Sequence, residues 1–209
     1  MIITKTYNEP PFCEKEILRY ASCRDEDENV LSLIYSCIDE VRKKLSYKVC
    51  YGEFDVDYFK IKSEMFSKNL KNCSEVIVFA ATVGIEIDRL IAKYGRISPS
   101  RALIFQAIGA ERIEALCDTF CKELANEKKM NLSPRFSPGY GDLPLSVQKY
   151  IFDVLDCSKH IGLTLNDSLL MSPSKSVTAF VGLSNNKNIE INNKCTLCDK
   201  TDCAYRGAI

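Results

Sequence analysis

The residues best suited to chemistry lie in one stiff segment, residues 133–144, with the sequence SPRFSPGYGDLP. Its three prolines and two glycines exclude a helix or a central strand and predict a loop whose shape proline largely fixes. Arg135 offers a planar guanidinium suited to a carboxylate, and Tyr140 offers an aromatic face and a hydroxyl. Gly139 and Gly141 can adopt positive φ and let a ligand approach the backbone. Residue types alone leave two interpretations: a ligand-binding loop, or an interhelical loop with a surface arginine.

A second candidate site is the C-x2-C-x4-C pattern of Cys195, Cys198 and Cys203. This spacing can bring three thiolates onto one metal ion or iron–sulfur cluster, and such sites usually have four protein ligands. Cys157 is the first choice for the fourth ligand. His160, the single histidine, is the next choice, because residues 157–160 form a C-x2-H pattern. The alternative is three reduced thiols without a metal.

Composition narrows the functional class. Of the 209 residues, 28 are Lys or Arg and 28 are Asp or Glu, so the chain lacks the basic surface typical of nucleic-acid binding. No apolar run reaches the ~18 residues of a membrane span, and the N-terminus does not resemble a signal peptide. We therefore expect a cytoplasmic protein. Its eleven cysteines, an odd number, are expected to be reduced, with Cys37, Cys117 and Cys121 acting as small core residues.

Apolar periodicity predicts the elements of the first half. We expect helices over 12–22, from Asp27 to Leu45, over 60–71, and from 85 to a C-terminus set by Gly95. Strands are expected over Tyr47 to Val56 and over the buried run of residues 74–82.

The second half begins with the longest helix, from Ser98 or Ser100 to about Lys129, followed by a helix over 144–154. Two strand candidates, residues 169–173 and 176–184, are separated by a proline-containing turn and are expected to form a hairpin. Because βαβ alternation is weak, these elements predict an α+β fold with a mainly antiparallel, twisted sheet and flanking helices. We divide the chain into an N-terminal part (1–95), a ligand-binding part of the same domain (96–184) and a cysteine-rich tail (185–209).

Residues 135–140, RFSPGY, resemble the R-x-x-P-G-Y motif of the activation domain of cobalamin-dependent methionine synthase. Upstream, GAERIEAL (109–116) resembles the family helix that carries an acidic ligand contact. Downstream, residues 160–177 resemble the family segment I-G-x-x-L-T-E-S-x-A-M-x-P-x-x-S-V. Two departures concern the adenosine side of the pocket. Residues 180–182 replace a family aromatic that packs on the ligand, and residues 173–176 replace the family's P-G-A-S.

The resemblance implies an S-adenosylmethionine site formed by Arg135, Pro138, Gly139, Tyr140 and an acid. Glu114 is the best candidate for that acid, with Glu111 possible. The family uses this ligand to remethylate oxidised cobalamin. Since the family domain is normally the last module of a large enzyme, the resemblance implies a stand-alone form whose cobalamin is on a partner protein.

Three functions follow from these patterns. The leading one is a non-catalytic subunit or module that binds S-adenosylmethionine and serves reductive reactivation of methionine synthase or another corrinoid protein, with an electron donor such as flavodoxin. The second is an iron–sulfur protein that donates electrons to a corrinoid protein and uses the R-x-x-P-G-Y loop only for docking. The third is an interaction protein stabilised by zinc.

Overall fold

The computed structural model describes residues 1–23 and 27–184. The helices are α1 (Glu14–Tyr20), α2 (Glu28–Val41), α3 (Glu64–Asn69), α4 (Glu86–Ile97), α5 (Pro99–Lys128), α6 (Val147–Leu155) and α7 (Cys157–Ile161). The strands are β1 (Ile2–Tyr7), β2 (Tyr47–Asp55), β3 (Glu75–Thr82), β4 (Asn131–Leu132), β5 (Thr164–Leu165), β6 (Met171–Ser172) and β7 (Ser176–Ser184). None of the helices in these ranges has the length and apolar character needed to cross a bilayer.

Five strands form an antiparallel sheet in the order β1-β2-β3-β7-β4, and β5 pairs with β6 in a separate small sheet. The predicted α+β fold with an antiparallel sheet and flanking helices is confirmed. β3 and β7 are buried along nearly their whole length because both faces of the sheet are covered. That burial explains the apolar runs of residues 76–81 in β3 and 179–183 in β7.

Alternating side chains of the central strands pack into two hydrophobic cores, one on each face of the sheet. Ile77, Phe79 and Ala81 of β3 face the core formed with α1, α2, α4 and α5. Val76 and Val78 face the opposite core, formed with α3, α6 and α7. The two cores therefore follow from the period of two along a strand.

The predicted start of α2 and both predicted ends of α5 agree with the structure. The predicted C-termini of α2, at Leu45, and of α4, at Gly95, do not, because α2 ends at Val41. The Asp27 side chain accepts a hydrogen bond from the Asn29 N–H at 2.7 Å and so caps α2. Gly95 lies inside α4, which continues to Ile97. The break comes from Pro99 instead, because the residue before a proline avoids helical dihedrals and Ser98 has φ −158° and ψ 84°.

The predicted hairpin of residues 169–173 and 176–184 is wrong. Met171–Ser172 pairs with β5, whereas β7 lies between β3 and β4 in the main sheet. β7 is buried on both faces, and a position inside the sheet supplies that cover. The strands β1, β4 and β5 and the short helix α7 were not predicted from the sequence.

Candidate functional site

The loop of residues 133–144 is attached to the edge of β7. Phe136 and Phe180 exchange two backbone hydrogen bonds of 2.9 Å, and the Ser133 N–H donates to the Gly182 carbonyl at 2.9 Å. The Ser133 hydroxyl in turn accepts from the Gly182 N–H at 2.9 Å. Backbone hydrogen bonds therefore hold the first half of the loop along β7.

The second half of the loop is a closed turn with positive φ at both glycines, as predicted. Gly139 has φ +89° and Gly141 has φ +54°. The Gly139 N–H donates to the Leu143 carbonyl at 2.9 Å, and the Tyr140 N–H donates to the Ser137 carbonyl at 3.1 Å. These bonds fix the turn independently of any ligand.

Asp142 connects the turn to the N-terminus of α3. Its carboxylate accepts from the Ser63 hydroxyl at 2.5 Å and from the Glu64 N–H at 2.6 Å. The Ser63 hydrogen bond lowers the pKa of Asp142 below its usual range, with the backbone donors adding to the effect. The loop is thus fastened at three places: β7, its own turn and α3.

Arg135 extends from this loop to two carboxylates on α5. Its Nη2 lies 2.6 Å from Glu114 Oε2, and its Nη1 lies 2.5 Å from Asp118 Oδ1. The side chain of Arg135 is 21% exposed, those of Glu114 and Asp118 45% and 57%. Burial opposes the charged guanidinium, but the neighbouring negative charges outweigh it and raise the pKa of Arg135. Phe136, the next residue, packs into the opposite core.

Glu111, the alternative acid, contacts Arg112 and Cys13 instead of Arg135. It is buried with Arg112, whose Nε donates to Glu111 Oε2 at 2.5 Å, and it accepts the Cys13 N–H at 3.1 Å. The structure therefore brings Glu114, rather than Glu111, to Arg135. Of the other suggested ligand contacts, Pro138 is buried in the loop and Tyr140 is 53% exposed at its surface.

Comparison with known proteins places this arrangement in a family. The model of the vitamin B12 dependent methionine synthase activation domain matches residues 57–192, more than half of the chain. The chain belongs to this family. A solved structure, the MetH reactivation domain bound to AdoHcy, is similar over 87% of this chain and 78% of its own, with a TM-score of 0.64 and 16% identity. That similarity shows a shared fold. No curated protein matches the sequence.

Sequence reasoning missed Asp118 as a residue of this activation domain's candidate site. Its signal was available: Glu114 and Asp118 are four residues apart, so they lie on one face of α5. What the sequence did not reveal is that this face meets Arg135.

The candidate metal site is only partly described. Cys195, Cys198 and Cys203 lie outside the described residues. Cys157 is buried at the start of α7, where a hydrogen bond with Cys50 and burial raise the pKa of its thiol. The His160 Nδ1 lies 3.0 Å from the Thr4 hydroxyl. Within 1–23 and 27–184, no three Cys, His, Asp or Glu side chains group as metal ligands.

Cys157 also lines an open cavity of about 620 Å³ between α6, α7 and β5. The lining includes Asp153, Asp156 and Lys149 but no residue of the R-x-x-P-G-Y loop. This cavity is therefore separate from the Arg135 site.

Proposed function

We propose that this activation domain binds S-adenosylmethionine at Arg135, Glu114 and the turn of residues 138–140, and presents the methyl group to a reduced cobalamin. The cobalamin would be held by methionine synthase or another corrinoid protein, and an electron donor such as a flavodoxin would keep it reduced. The observation that carries the proposal is the partly exposed Arg135–Glu114 pair beside a turn that is already fixed.

The charges of the pair suit the amino-acid end of the ligand. That end has one carboxylate and one ammonium, which can pair with Arg135 and Glu114 respectively. A bidentate arginine–carboxylate contact is among the stronger charge-assisted hydrogen bonds. Separating the resident pair costs little, because partly exposed ion pairs contribute only about 0–1 kcal/mol. The ligand can therefore replace the internal contact.

The loop supports the proposal by being organised before binding. Phe136 and Asp142 hold its two halves, so binding requires little additional ordering. Gly139 is exposed and has no side chain, which leaves the backbone of the turn open to a ligand. S-adenosylmethionine supplies an electrophilic methyl group, and its transfer needs alignment rather than proton transfer. The AdoHcy in the similar structure is the demethylated form of this ligand, which further supports an adenosyl ligand.

Calorimetry on anaerobically purified protein tests the proposal. We expect S-adenosylmethionine to bind, and Arg135→Ala to weaken binding by about 1.5–3 kcal/mol, the range for hydrogen bonds to charged groups. Arg135→Lys should restore little of this, because lysine lacks the bidentate fork. No binding by the wild type at millimolar ligand would refute the function. Unchanged affinity in Arg135→Ala would refute the residue assignment.

For the tail, we propose that Cys195, Cys198, Cys203 and Cys157 bind one zinc ion or iron–sulfur cluster. The support is the thiol spacing, together with the position of Cys157 on an open cavity. A cytoplasmic location fits clustered reduced thiols. Metal analysis and a visible spectrum distinguish zinc from iron, and Cys157→Ser should lower the bound metal. Near-absence of both metals, with freely titratable thiols, would contradict the proposal.

A further inference from the structure

The Arg135 site carries one more negative than positive charge. Arg135 is bound by both Glu114 and Asp118, so the three side chains have a net charge of minus one. Asp118 is the more exposed of the two acids, and its contact with Arg135 uses only Oδ1. One carboxylate is enough to pair with Arg135, so the second carboxylate, that of Asp118, can have a further role.

The other cationic side chains near the site form no ion pair with Glu114 or Asp118. Arg19, on the neighbouring helix α1, is paired with Glu16 at 2.6 Å. Lys175 packs against Gly109 of α5, more than one turn before Glu114, and makes no ion pair with either acid of the site. Lys122, one turn after Asp118, is exposed and makes no ion pair with it. Among the described residues, Arg135 is therefore the one cation that Asp118 contacts, and it shares that cation with Glu114.

We propose that Asp118 makes the site select the sulfonium donor over its demethylated product, an inference that rests on the proposed function. The amino-acid end of either ligand is a zwitterion and would satisfy Arg135 and Glu114 equally. What remains is the charge of Asp118, which attracts the positive sulfonium of S-adenosylmethionine and has no counterpart in S-adenosylhomocysteine.

The same charge favours product release. On transfer the S–CH₃ bond breaks and its electron pair stays on sulfur, while the new bond to carbon forms from the electron pair of the reduced cobalt. The sulfonium becomes a neutral thioether, so its attraction to Asp118 disappears. Asp118 therefore acts as a specificity-determining residue, without touching the transferred methyl group.

The substitution Asp118→Asn removes the negative charge of Asp118 but can keep its hydrogen bond with Arg135. The amide oxygen can still accept the Arg135 Nη1 hydrogen bond, so the guanidinium keeps its position. Partly exposed charge interactions change affinity by about two- to five-fold at low salt. Asp153→Asn is the matched control, because it removes the same charge from an exposed position on α6 in the opposite layer.

The experiment is calorimetric titration of wild type and both variants with S-adenosylmethionine and with S-adenosylhomocysteine. We expect the affinity ratio of the two ligands to fall about two- to five-fold in Asp118→Asn and to be unchanged in Asp153→Asn. The wild-type ratio should also fall as salt rises from about 0.05 to 0.5 M, a measurement that needs no variant.

The outcomes separate the two claims. If neither ligand binds the wild type, the proposed function fails. If both bind but the ratio is the same in Asp118→Asn and insensitive to salt, charge selection is refuted while the function stands. Equal loss of both ligands in Asp118→Asn would make Asp118 a positioning residue for Arg135 and would also refute selection.

Discussion

Two arginines bind carboxylates of the same helix in opposite ways. Arg112 is completely buried, donates to the Pro10 and Pro11 carbonyls at 2.5 and 2.6 Å, and pairs with the buried Glu111. The ring of Phe12 lies 3.9 Å from its guanidinium carbon. This arginine fastens the N-terminal segment to α5.

Arg135 has the same kind of partner but a different environment. Its two hydrogen-bonded carboxylates, Glu114 and Asp118, are each about half exposed. A buried pair supported by backbone carbonyls cannot exchange partners without leaving a desolvated charge. A pair whose carboxylates are half exposed can exchange partners at lower cost, because water solvates the released carboxylate. The comparison teaches that burial and backbone contacts, rather than ion-pair chemistry, distinguish this structural arginine from the one that we propose binds a ligand.

The largest effect is expected from Arg112→Ala. Removing one partner of a buried pair leaves Glu111 charged and unpaired, which costs about 3–5 kcal/mol. Urea denaturation should show this loss, whereas Arg135→Ala should change the free energy of unfolding by no more than about 1 kcal/mol. If Arg112→Ala and Arg135→Ala destabilised the protein equally, the distinction between a structural arginine and an exchangeable one would be wrong.

A smaller effect is expected from Gly139→Val. A β-branched residue at φ +89° is strained by about 1–3 kcal/mol, and its Cβ would lie 3.3 Å from Leu145 Cδ1. We expect S-adenosylmethionine binding to be lost while the far-UV circular dichroism is unchanged. A collapsed spectrum would instead make Gly139 a structural residue.

Gly95→Ala provides the matched glycine control and the next smaller effect. Gly95 is inside α4, and an added Cβ would meet nothing within 4 Å. Alanine should stabilise the protein by about 0.5–1 kcal/mol and leave ligand binding intact. Urea denaturation and calorimetry check both statements, and destabilisation would contradict the description of this position.

The smallest effect concerns pH and Asp142. Because its folded-state pKa is lowered, Asp142 contributes stability that is present above the unfolded-state pKa of about 3.9 and is lost as pH falls through the folded value. Asp142→Asn should therefore melt below the wild type at pH 7, with a difference that shrinks below about pH 4. A melting difference that does not vary with pH would show that the charge is irrelevant.

The elements that the sequence revealed are those with long apolar patterns. β3, β7 and α5 were predicted closely because burial on one or both faces dictates their residues. β1 was missed because it is an edge strand whose polar residues, such as Thr4 and Lys5, obscure the pattern. The partner of Met171–Ser172 was wrong because strand pairing depends on the global arrangement rather than on proximity in the chain.

The candidate site, like the fold, could be predicted from the sequence only in part. Arg135 and the positive φ of Gly139 follow from residue types within one short loop. The pairing of Arg135 with Asp118, and the commitment of Glu111 to Arg112, depend on how α5 lies against two distant segments. Periodicity places such acids on a helix face but cannot say which segment that face meets.

The most direct test of the central claim is an NMR titration that observes the Nε–H resonances of Arg135 and Arg112 together, assigned with Arg135→Lys. On saturation with S-adenosylmethionine we expect the Arg135 resonance to shift as its partner changes, while the buried Arg112 resonance stays in place. Saturation without any shift of Arg135 would contradict ligand exchange at this arginine, and a shift of Arg112 alone would place the ligand elsewhere.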